Sequence, residues 1–397
     1  MSRLVAIIVL VGLAGPLLAQ QNASLVVHEW GTFTSLQDED GRTISGIVED
    51  VEPLPPFVVN LFPGSGPKGL PDSFGQSVTM RLETPVVYFH LPSGAGPMNL
   101  TFSAKFNGGV INQYYPIATP TVQADTLHGL KEQTVGAMTW NNLTIGRPAA
   151  APETTLAVWL APREVNAADV SVNGQAERYI FYRGVGRLNA PLKIVRTPDS
   201  LLIAGQLDPV VPANTTLKLP PFWYLDVRPD GTTAYRTIEG IPNIQSSASE
   251  TRVLAAEFSP SDYSTTRLAA LKQEMKAALV SAGLYEDEAA AMLKTWDQAY
   301  FKAPGSRVLF VVPRGWTDAR LPISLTAPAK IERVMVGRID LITPQQRELA
   351  RRYLAIAAAQ PEAAARLTSQ IGRFAASIIR EESARRSQPA GRLSSAR

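Results

Sequence analysis

The sequence of 397 residues contains no cysteine, so its stability rests on neither disulfides nor thiolate metal sites, and a cysteine nucleophile is excluded. Histidine is scarce too, being limited to His28, His90 and His128. No HExxH phrase or close histidine pair occurs, the GVG phrase at Gly184 to Gly186 completes neither a Walker nor a GxGxxG pattern, and neither Ser35 nor Ser324 sits in a nucleophile-elbow phrase. Charged residues make up only 18% of the chain, and no basic stretch interleaved with aromatics offers a stacking platform, so a nucleic-acid partner is not expected. The apolar run Leu4 to Ala19 (LVAIIVLVGLAGPLLA) falls short of the roughly 17 to 25 residues that cross a bilayer comfortably. Preceded by Ser2 and Arg3, it reads as a signal peptide cleaved after Ala19, which predicts a periplasmic or extracellular protein with no integral membrane span after cleavage.

What is present is strand-like. Short apolar and β-branched runs recur between Pro, Gly and Asn: Leu25 to Phe33, Ser77 to Thr84, Val86 to His90, Asn99 to Phe106, Thr154 to Leu160, Arg178 to Arg183, Leu192 to Arg196 and Phe222 to Val227. This spacing predicts a mainly β fold, an elaborated β-sandwich, because a doubly wound sheet needs regular intervening helices. The segment from Glu52 to Gly75 carries Pro53, Pro55, Pro56, Pro63, Pro67 and Pro71 and reads as a surface excursion. From Ser259 the period becomes helical, with Leu268, Leu271, Met275 and Leu279, then Met292, Trp296 and Tyr300. The expected order is a signal peptide (1–19), a β-rich body (20–258), a helical hairpin insertion (259–304), returning strands (305–342), C-terminal helices (343–383) and a disordered tail (384–397). Thr343, Pro344 and Gln346 predict a capped helix start. Leu367, Ile371, Phe374 and Ile378 form an apolar stripe, which docks on the β body or recruits a protein partner.

Several phrases, VVHEWGTFTS (Val26 to Ser35), RLETPVVYFH (Arg81 to His90), WLAPR (Trp159 to Arg163), FYRGVG (Phe181 to Gly186) and Val308 to Gly337, resemble a group of uncharacterised exported bacterial proteins. The resemblance spans most of the chain after Ala19 and carries no activity or cofactor with it.

Chemistry therefore has to be read from the residues. In period-two strands His28 shares a face with Trp30, and His90 with Tyr88 and Val86. If those strands pair, the two imidazoles converge and, with Glu83 or Glu29, supply the nitrogen and oxygen ligands that a divalent transition metal accepts. Glu29, Glu83, Glu164 and Asp226 are the candidate carboxylates for glycoside hydrolysis, with Trp30, Tyr88 and Trp223 as sugar-stacking aromatics. Arg81, Arg163, Arg183 and Arg187 suit a carboxylate or other anion, although Arg81 and Glu83 equally suit an internal ion pair. In PRGWTDARLP (Pro313 to Pro322), Trp316 and Asp318 mark either a binding loop or a connector held by an Arg–Asp contact. Residues 330–397 hold 13 Arg and Lys against six Asp and Glu, so a basic end follows a mildly acidic body. Together these features favour a secreted β-rich binding or structural module recognising an anionic or carbohydrate partner. The competing expectation is a carbohydrate-active hydrolase or lyase, with or without a metal. A converging carboxylate pair in an aromatic cleft would distinguish the enzyme.

Overall fold

Strand Leu25–Gln37 (β1) organises the computed structural model, which describes residues 24–49, 52–62, 72–123 and 128–387. On one side β1 pairs in parallel with Ala329–Leu341 (β5), and on the other it pairs antiparallel with Met80–His90 (β2). Ile180–Gly186 (β3) extends the sheet beyond β2, and Gly305–Val311 (β4) lies beyond β5. Further strands complete a mixed, largely antiparallel sheet of fifteen, and a three-stranded sheet is built from Leu192–Arg196, Ser200–Gly205 and Arg252–Ala255. The fold is mainly β, an elaborated β-sandwich with a helical insertion and a helical C-terminal extension.

Alternation along β1 divides the core. Val27 and Phe33 face a cluster that includes Phe310, Met335 and the small sheet's Leu192, Ile194, Leu201 and Ile203. Trp30 faces the other way, with Val86, Tyr88 and Val334, beneath the helical insertion. That insertion contains Arg267–Ser281 (α2) and Glu286–Thr295 (α3), followed by a π-helical turn at Asp297–Lys302. Its Leu271, Met275, Leu279, Met292, Trp296 and Tyr300 are buried against the sheet, which is the face the helical periodicity marks. Gly283, at a φ of +121°, makes the turn between the two helices.

Two expected strands, Ser77 to Thr84 and Val86 to His90, are one strand, with the register shifting where Pro85 lies opposite Gly31. Proline cannot donate to a ladder and is accommodated at such a bulge. Gly31 eases the close approach there, since a Cβ on it would lie 3.0 Å from Pro85 Cα, a tight contact.

The segment Thr154 to Leu160 is not a strand. Ala157–Arg163 forms a short helix (α1) that buries Trp159, Ala161 and Pro162 and leaves Leu160 exposed, a one-sided pattern that strand alternation would not produce. In the same way, Arg314–Arg320 is a helix (α4) rather than a loop, with an i,i+4 contact of 2.8 Å between Arg314 and Asp318.

The C-terminal extension comprises Pro344–Ile356 (α5), Pro361–Ile371 (α6) and Ala375–Ser387 (α7). Thr343 caps α5 as expected, its hydroxyl accepting the Gln346 N–H at 3.2 Å. Helix α7 runs through to Ser387, so residues 384–387 of the expected tail are helical; the remainder of that tail and the signal-peptide reading fall outside the described residues. Among the described residues no helix is long and apolar enough to cross a membrane. The apolar stripe docks internally: Leu367, Ile371, Phe374 and Ile378 pack with Leu36, Ile44, Ile47 and Phe74. Phe374→Ala should therefore cost about 3 to 5 kcal/mol, measured by urea unfolding. A loss below about 1 kcal/mol would mean the ring is not part of the folded core.

Candidate metal centre

The pairing of β1 with β2 sets Val26 opposite His90 and His28 opposite Tyr88. His28 and His90 thus lie diagonally across neighbouring strands on the face beneath the insertion, with ring centroids 5.0 Å apart. The first turn of α3 lowers Glu288 between them. Its Oε2 lies 2.7 Å from His28 Nδ1 and its Oε1 lies 3.1 Å from His90 Nε2. The Tyr285 N–H also donates to Glu288 Oε2, at 2.8 Å, an arrangement a carboxylate at the third helical position is placed to make. The Tyr285 ring packs against both imidazoles, with centroids 4.4 and 4.8 Å away.

This is a compact His/His/Glu set, with one ligand atom from each residue within 4.8 Å of the others. Two imidazole nitrogens and one carboxylate oxygen suit zinc and related divalent transition ions, and the cluster is capable of coordinating one. With metal bonds of roughly 2.0 to 2.2 Å, small side-chain rotations would close the set. His28 and Glu288 are buried, whereas His90 is partly exposed and Tyr285 is 45% exposed. One side of the cluster therefore faces solvent. Burial would raise the Glu288 pKa, but hydrogen bonds from both histidines, the charge of His28 and the Tyr285 N–H outweigh it and hold the carboxyl below its usual value.

The sequence brings the two histidines together correctly but misses the carboxylate. Glu29 points to the opposite face, where it accepts from Arg333 Nε at 2.6 Å and from the Tyr182 hydroxyl. Glu83 lies farther along the histidine face. Glu288 is 260 residues from His28 in sequence, and its one local signal is an acidic helix start, which ordinarily marks only a favourable charge near the helix dipole.

The other candidates are dispersed. Glu164 is exposed and pairs with Lys294. Asp226 accepts from Ser306 at 2.5 Å and from Tyr263 at 2.8 Å. Trp30 is buried against Trp296, and the Tyr88 hydroxyl donates to the Pro162 carbonyl at 2.9 Å. Trp223 Nε1 donates to Glu274 at 2.9 Å. Trp316 is buried beside Phe33, and Asp318 binds Arg314 and Arg333. Arg163 grips Glu177, Arg187 is exposed, and His128 is exposed away from the other two histidines.

Arg81 and Arg183 do come together. At the far end of the histidine face they border a small cavity with Glu52, Glu83, Trp296 and Arg373. Glu83 Oε1 receives Arg81 at 2.9 Å and also Arg373, while Oε2 receives the hydroxyls of Thr34 at 2.8 Å and Tyr300 at 3.1 Å. Burial raises the Glu83 pKa, but Arg373, Arg81, Arg338 and Arg183 overcome it and hold the carboxyl far below its normal value. Arg373, from the C-terminal extension, is the second residue the sequence reading missed.

No family model and no curated protein matches the chain. Among solved structures it is similar to a Danio rerio Fcho1 Mu homology domain with bound Eps15 peptide, at 9% identity and a TM-score of 0.32, over 81% of this chain and 98% of that one. It is also similar to the yeast delta-COP-I mu-homology domain, at 8% identity and a TM-score of 0.29, over 81% and 98% of the two chains. A likeness this loose carries no argument about function, which has to be drawn from the site itself.

Because the folded-state pKa of Glu83 is depressed, the stability it contributes is fully present above the unfolded value, near pH 4.3, and declines as pH falls toward the folded value. Glu83→Gln should remove that acid-dependent component. It should also cost about 3 to 5 kcal/mol at neutral pH by stranding buried guanidinium charge. Urea unfolding of both proteins between pH 3 and 7 tests this, and superimposable pH profiles would contradict it.

Proposed function

We propose that this chain is an exported binding module built around a divalent transition-metal centre. His28 Nδ1, His90 Nε2 and Glu288 hold the ion, and its remaining position faces solvent beside Tyr285, where it takes an oxygen of an anionic or carbohydrate partner. The observation that carries this reading is the convergence of two imidazoles from neighbouring strands on one helix carboxylate, at a site open on one side. Metal ligation requires an ionised carboxylate and unprotonated imidazole nitrogens. The lowered Glu288 pKa meets the first condition. The apolar run at Leu4 to Ala19 supports export.

Binding is preferred to glycoside hydrolysis because Glu29, Glu83, Glu164 and Asp226 are held by separate sets of partners. A hydrolytic pair needs two carboxyl groups facing one bond, separated by about 5 to 9.5 Å. No two of these four share a partner among the described residues.

Calorimetric titration of chelator-treated protein with zinc should show one ion per chain. His90→Ala and Glu288→Gln should each weaken binding by at least about 100-fold, the upper end of what the loss of a mere outer-shell partner costs. The apo protein should keep its circular dichroism spectrum, since the core is extensive, and zinc at 100 times its Kd should add about 2.7 kcal/mol of stability. Zinc affinity that is unmeasurable, or identical in the variants, would reject the proposal.

A further inference from the structure

Tyr285 occupies the residue before α3, where a helix start ordinarily carries Ser, Thr, Asp or Asn. Its side chain makes no capping hydrogen bond. Nor is the ring committed to the core: the residue is 45% exposed while its ring rests against the imidazoles of His28 and His90. A tyrosine that forgoes both the cap and full burial breaks a local rule, and such breaks concentrate at functional sites.

The strand register supplies the rest of the rim. Lys330 of β5 lies opposite Val26, which in turn lies opposite His90, and Glu332 lies opposite His28. Glu332 is on the histidine face, since a Cβ on Gly283, in the turn between α2 and α3, would meet its Oε2 at 3.3 Å. The charges here cancel in pairs: Lys330 with Glu332 at 3.2 Å, Lys276 with Glu286 at 2.5 Å, and Arg314 with Asp318 at 2.8 Å. Each of these cations already has a carboxylate, so the rim offers an anionic partner little beyond the ion itself. A paired lysine and glutamate do present donors and acceptors without net charge, which suits hydroxyl groups, each donor and acceptor at once. Beside them, the exposed aromatic ring suits the apolar face of a sugar.

We infer that the partner is a neutral saccharide. One of its hydroxyl oxygens takes the open position on the metal, its ring stacks on Tyr285, and Lys330 and Glu332 meet its remaining hydroxyls. This inference rests on the metal centre proposed above and selects the carbohydrate over the anion.

The zinc-saturated full chain, applied to an array of neutral, sialylated and sulfated oligosaccharides, should bind neutral glycans, and EDTA should abolish the binding. For the best-bound neutral oligosaccharide, calorimetry at saturating zinc should show Tyr285→Ala weakening affinity about tenfold, the scale of a lost aromatic contact, and Tyr285→Phe restoring it. Reading the loss at full zinc loading separates lost stacking from a damaged metal centre. A preference for sialylated or sulfated glycans, or no glycan binding by the zinc-loaded protein, would overturn the inference and leave the metal centre standing. So would binding that survives EDTA, or equal affinity in Tyr285→Ala. Failure to take up zinc would instead reject the metal centre, and the inference with it.

Discussion

The register between Leu25–Gln37 and Met80–His90 is the constraint on which the rest depends. With His28 opposite Tyr88, the register puts His28 and His90 on one face, because His90 lies two positions from Tyr88 along its strand. The bulge at Pro85 does more. Arg81 and Glu83 differ in parity from Val86, Tyr88 and His90, and in a regular strand they would point to the opposite side of the sheet. The extra residue facing Gly31 brings them back. A single face therefore carries a histidine cluster at one end, an arginine chamber at the other, and Trp30, Tyr88 and Val86 between them. A one-residue change in register would separate both polar groups from their partners.

The helical insertion closes this face and contributes to both ends. Its first turn presents Glu288 to the histidines, and its π-helical end brings Tyr300 to Glu83 and the Ala299 carbonyl to Arg338. The aromatic seam formed by Trp30, Trp296 and Tyr300 fixes the distance between them. Burying such a seam supplies the apolar driving force that holds ionisable groups in a low-dielectric setting.

The strands, the insertion and the capped start at Thr343 were legible in the sequence because each has a local period or a local cap. The meeting of His28 with His90 was legible as well, through strand alternation and one assumed pairing. Glu288 and Arg373 were not, since each reaches its partners across a sequence separation that no local pattern encodes. The Ala157–Arg163 helix was misread because its apolar composition is equally strand-like, and only the one-sided burial of Trp159 and Ala161 distinguishes the two. The uneven charge also has a structural outlet. Arg347 and Arg385 in the basic extension pair with Glu39, and Arg385 also reaches Asp38, in the acidic turn that ends β1. Those arginines fasten the extension to the body, a role that net charge alone could not separate from contact with an outside acidic surface.

Strand pairing and the helical insertion together assemble a His/His/Glu set capable of holding a metal ion. X-ray absorption at the zinc edge of the loaded protein measures this most directly. The first shell should contain two imidazole nitrogens and carboxylate oxygen at about 2.0 to 2.2 Å, with one imidazole lost in His28→Ala. An all-oxygen shell, or a spectrum unchanged by that substitution, would contradict it.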